Sequence, residues 1–334
     1  MTIKADQTVC RWSLETPSQW VWEVGEEPAA VALSPDADLI AVGFAGGALR
    51  LYDRASGEVI AATDDAHGND INRLVFNADG SRLASGSHDG KARLWQVVYE
   101  SGRATLVSLH CLEGHTDSVH AVAFAPDGRT LATAGYDGRV GLFDVENGEG
   151  KLFDAHQGPV LSVIFTPDGR SLVCAGRDDF LVKRWDLSQD PPPGQEVTKA
   201  QDMLLWATLS PDGRQLAAVG RGLVVTLHDL GPSPAKPRYL VGHEQTVFRA
   251  IYGPDGCQLA TVGGDATARL WDVQTDQLLF ALRLPAVSQP GIPPMWDFDF
   301  RCTPAGDCWI AVPLTMGRLA LYRLPYLEPP ESIR

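Results

Sequence analysis

Seven times along the chain a short tripeptide closes what the pattern predicts to be a strand: LYD at 51–53, LWQ at 94–96, LFD at 142–144, RWD at 184–186, LHD at 227–229, LWD at 270–272 and LYR at 321–323. Each closure is preceded by a turn signal: SPDA at 34–37, NADG at 77–80, APDG at 125–128, TPDG at 166–169, SPDG at 210–213, GPDG at 253–256 and TPAG at 303–306. Taken from the second residue of each turn signal, the intervals are 43, 48, 41, 44, 43 and 50 residues. They straddle the period of about 40–45 residues that a unit of four short strands requires. Two series that keep step along the whole chain constrain the fold before any single residue is interpreted.

Residues 113–157 show the unit most clearly. Val119, Ala121 and Ala123 alternate with His120, Val122 and Phe124, the period-two pattern of a strand. A Pro-Asp-Gly turn ends that strand, and a second run at 129–136 is stopped by Asp137-Gly138, a dipeptide that tolerates positive φ and suits a tight hairpin. RVGLFDV at 139–145 and KLFDAH at 151–156 follow as third and fourth strands. Such a sheet cannot bury both faces alone. Radial stacking covers each face with a neighbour, and closing the ring removes the exposed ends. The expected fold is all-β: a seven-bladed β-propeller of four-stranded antiparallel blades, closed by an N-terminal strand that completes the last blade. That strand is assigned to WVWEV at 20–24, because the last unit runs into LPYLEPPESIR, whose prolines disfavour a long fourth strand. Residues 8–14 read as one strand too many, with Trp12-Ser13 in the place of a closing pair. An additional packed outer strand is the expectation there, with displacement of the C-terminal strand or contact to a partner as alternatives.

At 334 residues two ordinary domains would fit, but a continuous repeat favours one domain over 1–334, with a closing segment at 8–24, blades from about 28 to 324 and a tail at 325–334. The six cysteines (Cys10, Cys111, Cys174, Cys257, Cys302, Cys308) form no CxxC pair, which argues against a zinc site and suits a reducing compartment. Cys302 and Cys308 flank the last turn and could meet across a hairpin, but are read as two ordinary buried thiols. The chain starts without a charged, then apolar, leader pattern and has no stretch of membrane-spanning length, so a soluble cytoplasmic protein is expected. A net charge of −14 disfavours sequence-independent attraction to nucleic acid or anionic lipid. Few lysines among the basic residues, with much Ala, Gly and Pro, point to a GC-rich, bacterial genome.

These residues resemble the WD-repeat family of β-propellers over nearly the whole chain. Gly114-His115 and Gly242-His243 match the family's early Gly-His, Ala66-His67 and Ala155-His156 keep the histidine, and Trp185-Asp186 and Trp271-Asp272 match its closing pair. The resemblance implies a hydrogen-bonded chain of His, Ser or Thr, Asp and Trp inside a blade: His67, Ser85, Asp89 and Trp95 in the second unit, His243, Thr261, Asp265 and Trp271 in the sixth. Buried imidazole and carboxylate are costly unless each is paired, which is what such a chain achieves. The third unit has His115, Thr133 and Asp137 but ends in Phe143; in the fourth, Cys174 replaces the hydroxyl and Trp185 lies one residue further from Asp178, as a bulge would place it. Units one, five and seven lack the set, with Tyr52, His228 and Tyr322 in the aromatic position, and are expected to be softer.

The histidines outside these chains (His88, His110, His120, His228) occur singly, without metal-ligand spacing, and the aspartates at 36, 79, 127, 168, 212 and 255 belong to turns. No phosphate loop or nucleophile elbow is present, so no catalytic residue, cofactor or metal is assigned. In the family, function lies on the rim around the central channel. The positions there are Arg73, His88, His120, Tyr136, Arg177, Trp206, Arg221, Phe248 and Arg249. Arginines and aromatics suit an interface for a protein or peptide with an acidic or phosphorylated segment; the alternative is that the arginines pair internally with Asp70, Asp117, Asp178 or Asp179. Loops longer than the repeat needs, at 99–110, 188–202, 231–237 and 284–295, are a second candidate docking element. The expected function is a non-catalytic interaction scaffold. Two alternatives stand beside it: a regulatory or sensor subunit of a larger bacterial signalling, protease or defence assembly, and a propeller hydrolase or lyase with a channel-mouth site.

Overall fold

The computed structural model describes residues 2–3, 8–10, 18–100, 103–231, 235–285, 297–303, 305–324 and 331–332. Seven four-stranded antiparallel sheets follow one another along the chain. Blade three is the plainest: inner strand Val119–Phe124, then Thr130–Gly135, Arg139–Asp144 and outer strand Gly150–Asp154. The seventh blade takes Asp299–Cys302, Cys308–Leu314 and Arg318–Arg323 from its own repeat, and its outer strand is Ser18–Glu23, antiparallel to Arg318–Arg323 with Trp20 opposite Leu321. First on last, the N-terminal strand clasps the ring as the alternation of WVWEV predicts.

Period-two alternation decides which blade each side chain meets. In Cys308–Leu314, Cys308, Ile310, Val312 and Leu314 pack towards blade six, while Trp309 and Ala311 pack towards blade one. The same division gives a separate apolar core at each of the seven blade junctions. At about 25 cal/mol per Å² of apolar surface removed from water, these seven cores are the main source of stability.

Six of the seven turn signals build one device, TPAG at 303–306 having no aspartate. The Asp carboxylate accepts the backbone N–H two residues on: Asp36 from Asp38, Asp79 from Ser81, Asp127 from Arg129, Asp168 from Arg170, Asp212 from Arg214 and Asp255 from Cys257, at 2.8–3.1 Å. The next residue adopts φ of 65–75° in Gly80, Gly128, Gly169, Gly213 and Gly256. In blade one that place is held by Ala37 at φ 58°, so its Cβ carries a penalty the glycines avoid.

Three expectations need correction. Thr8–Cys10 adds to no blade; it pairs with Thr2–Ile3 and Glu331–Ser332 in a separate three-stranded sheet, and residues 11–14 lie outside the described set. The stretch 99–110 is not an irregular loop, because it extends a hairpin, Ala92–Glu100 with Arg103–Leu112, whose register runs out to Glu100 opposite Arg103. Most of 284–295 and part of 231–237 lie outside the described residues. Cys302 and Cys308 are joined as a disulfide: directly opposite in the ladder with Cα atoms 3.9 Å apart, they are brought together by the hairpin, not left as separate thiols.

The internal polar chains form as the resemblance implies in blades two and six. His67 bonds Asp89 through Nδ1 (3.0 Å) and Ser85 through Nε2 (2.7 Å), and Trp95 Nε1 donates to the same hydroxyl at 2.9 Å. His243, Asp265, Thr261 and Trp271 repeat this at 2.9, 2.8 and 2.8 Å. Blade three stops one bond short, with His115 on Asp137 and Thr133 and no indole. In blade four the carboxylate is Asp179, 2.8 Å from His156, instead of Asp178. The additional residue lies in the turn before Asp179, and Phe180 at φ 60° follows where Gly90 and Gly138 stand in blades two and three. Counted from Asp179, Trp185 has the same spacing as Trp95 from Asp89, so the irregularity is in the turn and not in the third strand.

Candidate interaction face

The meander puts the loops before each inner strand and those between second and third strands at one end of the channel. Backbone hydrogen bonds tie the two loops together: His88 N–H donates to Asp70 O, Tyr136 to Ser118 O, Arg177 to Pro159 O and Arg221 to Met203 O, at 2.9–3.0 Å. His88, Tyr136, Arg177 and Arg221 are thus equivalent positions on successive blades, two to five. His88 and Arg221 are exposed, and Tyr136 and Arg177 are half-buried. The Arg177 guanidinium lies over the Tyr136 ring at 5.4 Å, and His120 meets that ring edge-on at 5.5 Å. Arg177 also holds Asp178 at 2.7 and 3.3 Å, which raises the guanidinium and lowers the carboxyl. One of the four acidic residues considered as internal partners is therefore taken by a rim arginine. Asp70 and Asp117 accept backbone N–H groups of Gly46 and Ser118, and Asp179 serves its blade's histidine.

Arg73, Phe248 and Arg249 do not join that rim. They are 9%, 8% and 3% exposed. Phe248 packs into the core between blades six and seven. A β-bulge explains the others: in blades one to six the inner-strand pairing skips a residue, and the residue after the skip is Ala30, Arg73, Ala121, Ser162, Trp206 or Arg249. The bulge re-aims the side chain that follows it. Ser162 Oγ accepts Ala207 N–H of the next blade at 3.1 Å. In blade seven two aspartates bond to the next blade in the same manner: Asp297 Oδ2 accepts Val31 N–H at 3.0 Å, and Asp299 Oδ2 accepts Leu33 N–H at 2.8 Å. Two carboxylates of the last blade thus seal it to the first on the channel side, opposite the clasp. Arg73 Nη1 reaches the other oxygen of Asp297 at 2.8 Å, and Arg249 pairs with it as well. Both guanidiniums lie over Trp206, 5.3 and 4.7 Å from its ring.

Sequence reasoning missed Asp297 and Asp299. The signal was available in MWDFDF, where two aspartates occupy one face of an inner strand whose other face is aromatic. Burial pushes His120 down to about 4, with His88, Arg73, Arg177 and Arg249 adding repulsion, so the imidazole is neutral at physiological pH. Among the described residues no three His, Cys, Asp or Glu side chains are grouped as metal ligands.

Comparison with known proteins bears on the repeat. Residues 106–144, 149–186 and 236–272 match the family model of the WD domain, G-beta repeat, and 31–111 match that of the anaphase-promoting complex subunit 4 WD40 domain. A stretch of 70 residues, 21% of this chain, is 33% identical to the pre-rRNA-processing protein IPI3 of Mycosarcoma maydis, and spans 12% of it. Another of 67 residues, 20% of the chain, is 34% identical to the U3 small nucleolar RNA-associated protein 12 of Saccharomyces cerevisiae, and spans 7% of that protein. Both relatives are fungal, and neither supports the bacterial source read from composition.

Proposed function

Because the chain belongs to the WD-repeat β-propeller family, we propose that it is a non-catalytic platform that binds a protein partner on the rim where its inner strands begin. One observation carries this reading: His88, Tyr136, Arg177 and Arg221 stand at equivalent, backbone-locked places on four adjacent blades. A rigid row of aromatic and cationic groups loses little entropy on binding, and Arg and Tyr are enriched among residues that dominate interface energy. In a chain of net charge −14 this row favours an acidic or phosphorylated segment. The exposed Arg221 is the leading anchor, and Arg177 would exchange Asp178 for the partner's anion.

The test uses Arg177→Ala/Arg221→Ala, which leaves the buried Arg73 and Arg249 in place. Affinity capture from the native cell, read by mass spectrometry, is expected to lose with this variant a partner that the unaltered chain retains. Equal recovery of every partner would defeat the rim assignment. A place as one subunit of a larger assembly is a second reading, favoured by the match to a domain named for a subunit of a complex. Light scattering on the material purified with its neighbours distinguishes it from a free monomer.

A further inference from the structure

Buried donors gather inside the channel with nothing to receive them. Arg73 Nε, Arg249 Nε, Trp206 Nε1 and His120 Nδ1 are all buried and lack a hydrogen-bond partner. The first three belong to one cluster, since both guanidiniums share Asp297 and both lie over the Trp206 ring. Three guanidiniums, Arg73, Arg249 and the half-buried Arg301, face two carboxylates, Asp297 and Asp299, which leaves a surplus positive charge. Such an excess is costly away from water unless an anion balances it.

We infer that the channel beside Arg73, Arg249 and Trp206 is a binding site for a small oxyanion of the phosphate class. The donor set selects the ligand. Guanidinium and indole N–H groups only donate; a water molecule placed among them would bring two O–H groups of its own, and the side-chain acceptor of the cluster, Asp297, is occupied by Arg73, Arg249 and Val31. An oxyanion of the phosphate class presents bare anionic oxygens to these donors, and it brings the missing negative charge. Arg73, Arg177 and Arg249 all disfavour the charged form of the neighbouring His120. This site goes beyond the rim reading and does not depend on it.

Calorimetric titration of the full chain with sodium phosphate, sodium acetate and sodium chloride at matched ionic strength and pH 7 tests the inference. Phosphate is expected to give a saturable, one-to-one heat and to raise the melting temperature, with chloride doing neither. Trp206→Phe removes one donor while keeping a ring for the guanidiniums to stack on; loss of one charge-assisted hydrogen bond weakens phosphate about tenfold. Arg177→Ala/Arg221→Ala should bind phosphate as the unaltered chain does, so failure of the rim reading and failure of this one are separable. Phosphate behaving like chloride on the unaltered protein would overturn the inference whether or not Trp206→Phe folds, and unchanged affinity in a folded Trp206→Phe would overturn it too.

Discussion

Blade six and blade four are built on one plan, but blade four lacks the hydroxyl that joins the histidine to the indole. In blade six the Thr261 hydroxyl receives both His243 and Trp271. In blade four Cys174 stands in that place, fully buried, and His156 Nε2 and Trp185 Nε1 are left without partners. The fold is the same in both, with Cys174 and Thr261 each on a buried second strand. Apolar packing therefore forms the blade, and the hydroxyl contributes local stability on top of it. An unmade bond to a buried polar group costs about 1–3 kcal/mol, so blade four carries a deficit that its neighbours do not.

Acidification should have the largest effect and should not discriminate between the two blades. Burial lowers the pKa of His67, His115, His156 and His243, outweighing the aspartate partner of each. The unfolded chain takes up protons first as the pH falls below about 6.5. The stability these histidines contribute is thus complete above that value and lost as pH falls towards their folded values. A second loss follows below the ordinary carboxyl value. Burial raises Asp89, Asp137 and Asp265, but backbone N–H groups and the histidines hold them below it. Guanidinium midpoints should hold from pH 7.5 to about 6.5 and fall from there towards pH 3; a flat profile from 7 to 5 would contradict the burial of these rings.

Converting blade six into blade four is the next largest change. Thr261→Cys should cost about 3 kcal/mol, by stranding His243 and Trp271 together, and hydrogen exchange should show the loss concentrated in blade six. The reverse change, Cys174→Ser, should stabilise by about 1–2 kcal/mol, since one hydroxyl satisfies both orphaned nitrogens and less is gained than an apolar fill would give. No change in midpoint would mean that the blade-four rings are satisfied in some other way. Smallest is Phe143→Trp in blade three, where the ring lies directly against Gly150 much as Trp185 lies against Gly194. An added indole bond to Thr133 should stabilise by about 0.5 kcal/mol, the low end for a neutral hydrogen bond, visible as a slightly raised melting temperature.

Much of this organisation is legible in the residues. The turn spacing, the Pro-Asp-Gly signals and the closing tripeptides locate every blade, since each depends on contacts a few residues long. Thr133, Thr261 and Ser85 can be named as chain members for the same reason: they keep a constant distance from a histidine and an aromatic. The spacing points to Asp178 instead of Asp179, because one inserted turn residue shifts a count without changing the pattern. Arg73 and Arg249 were placed on the rim because residue type and repeat position do not report a bulge, and the bulge is what turns them inward.

The repeat by itself determined seven sheets, their strand order and the need for a clasp, because hydrophobic alternation and turn chemistry act over neighbouring residues. The closure of the ring was decided only in three dimensions. Asp297 and Asp299 bond backbone atoms 266 residues away, and Arg73 meets Asp297 across 224 residues. Partners that far apart along the chain share no periodic signal, and only the curvature accumulated over seven blades brings them together.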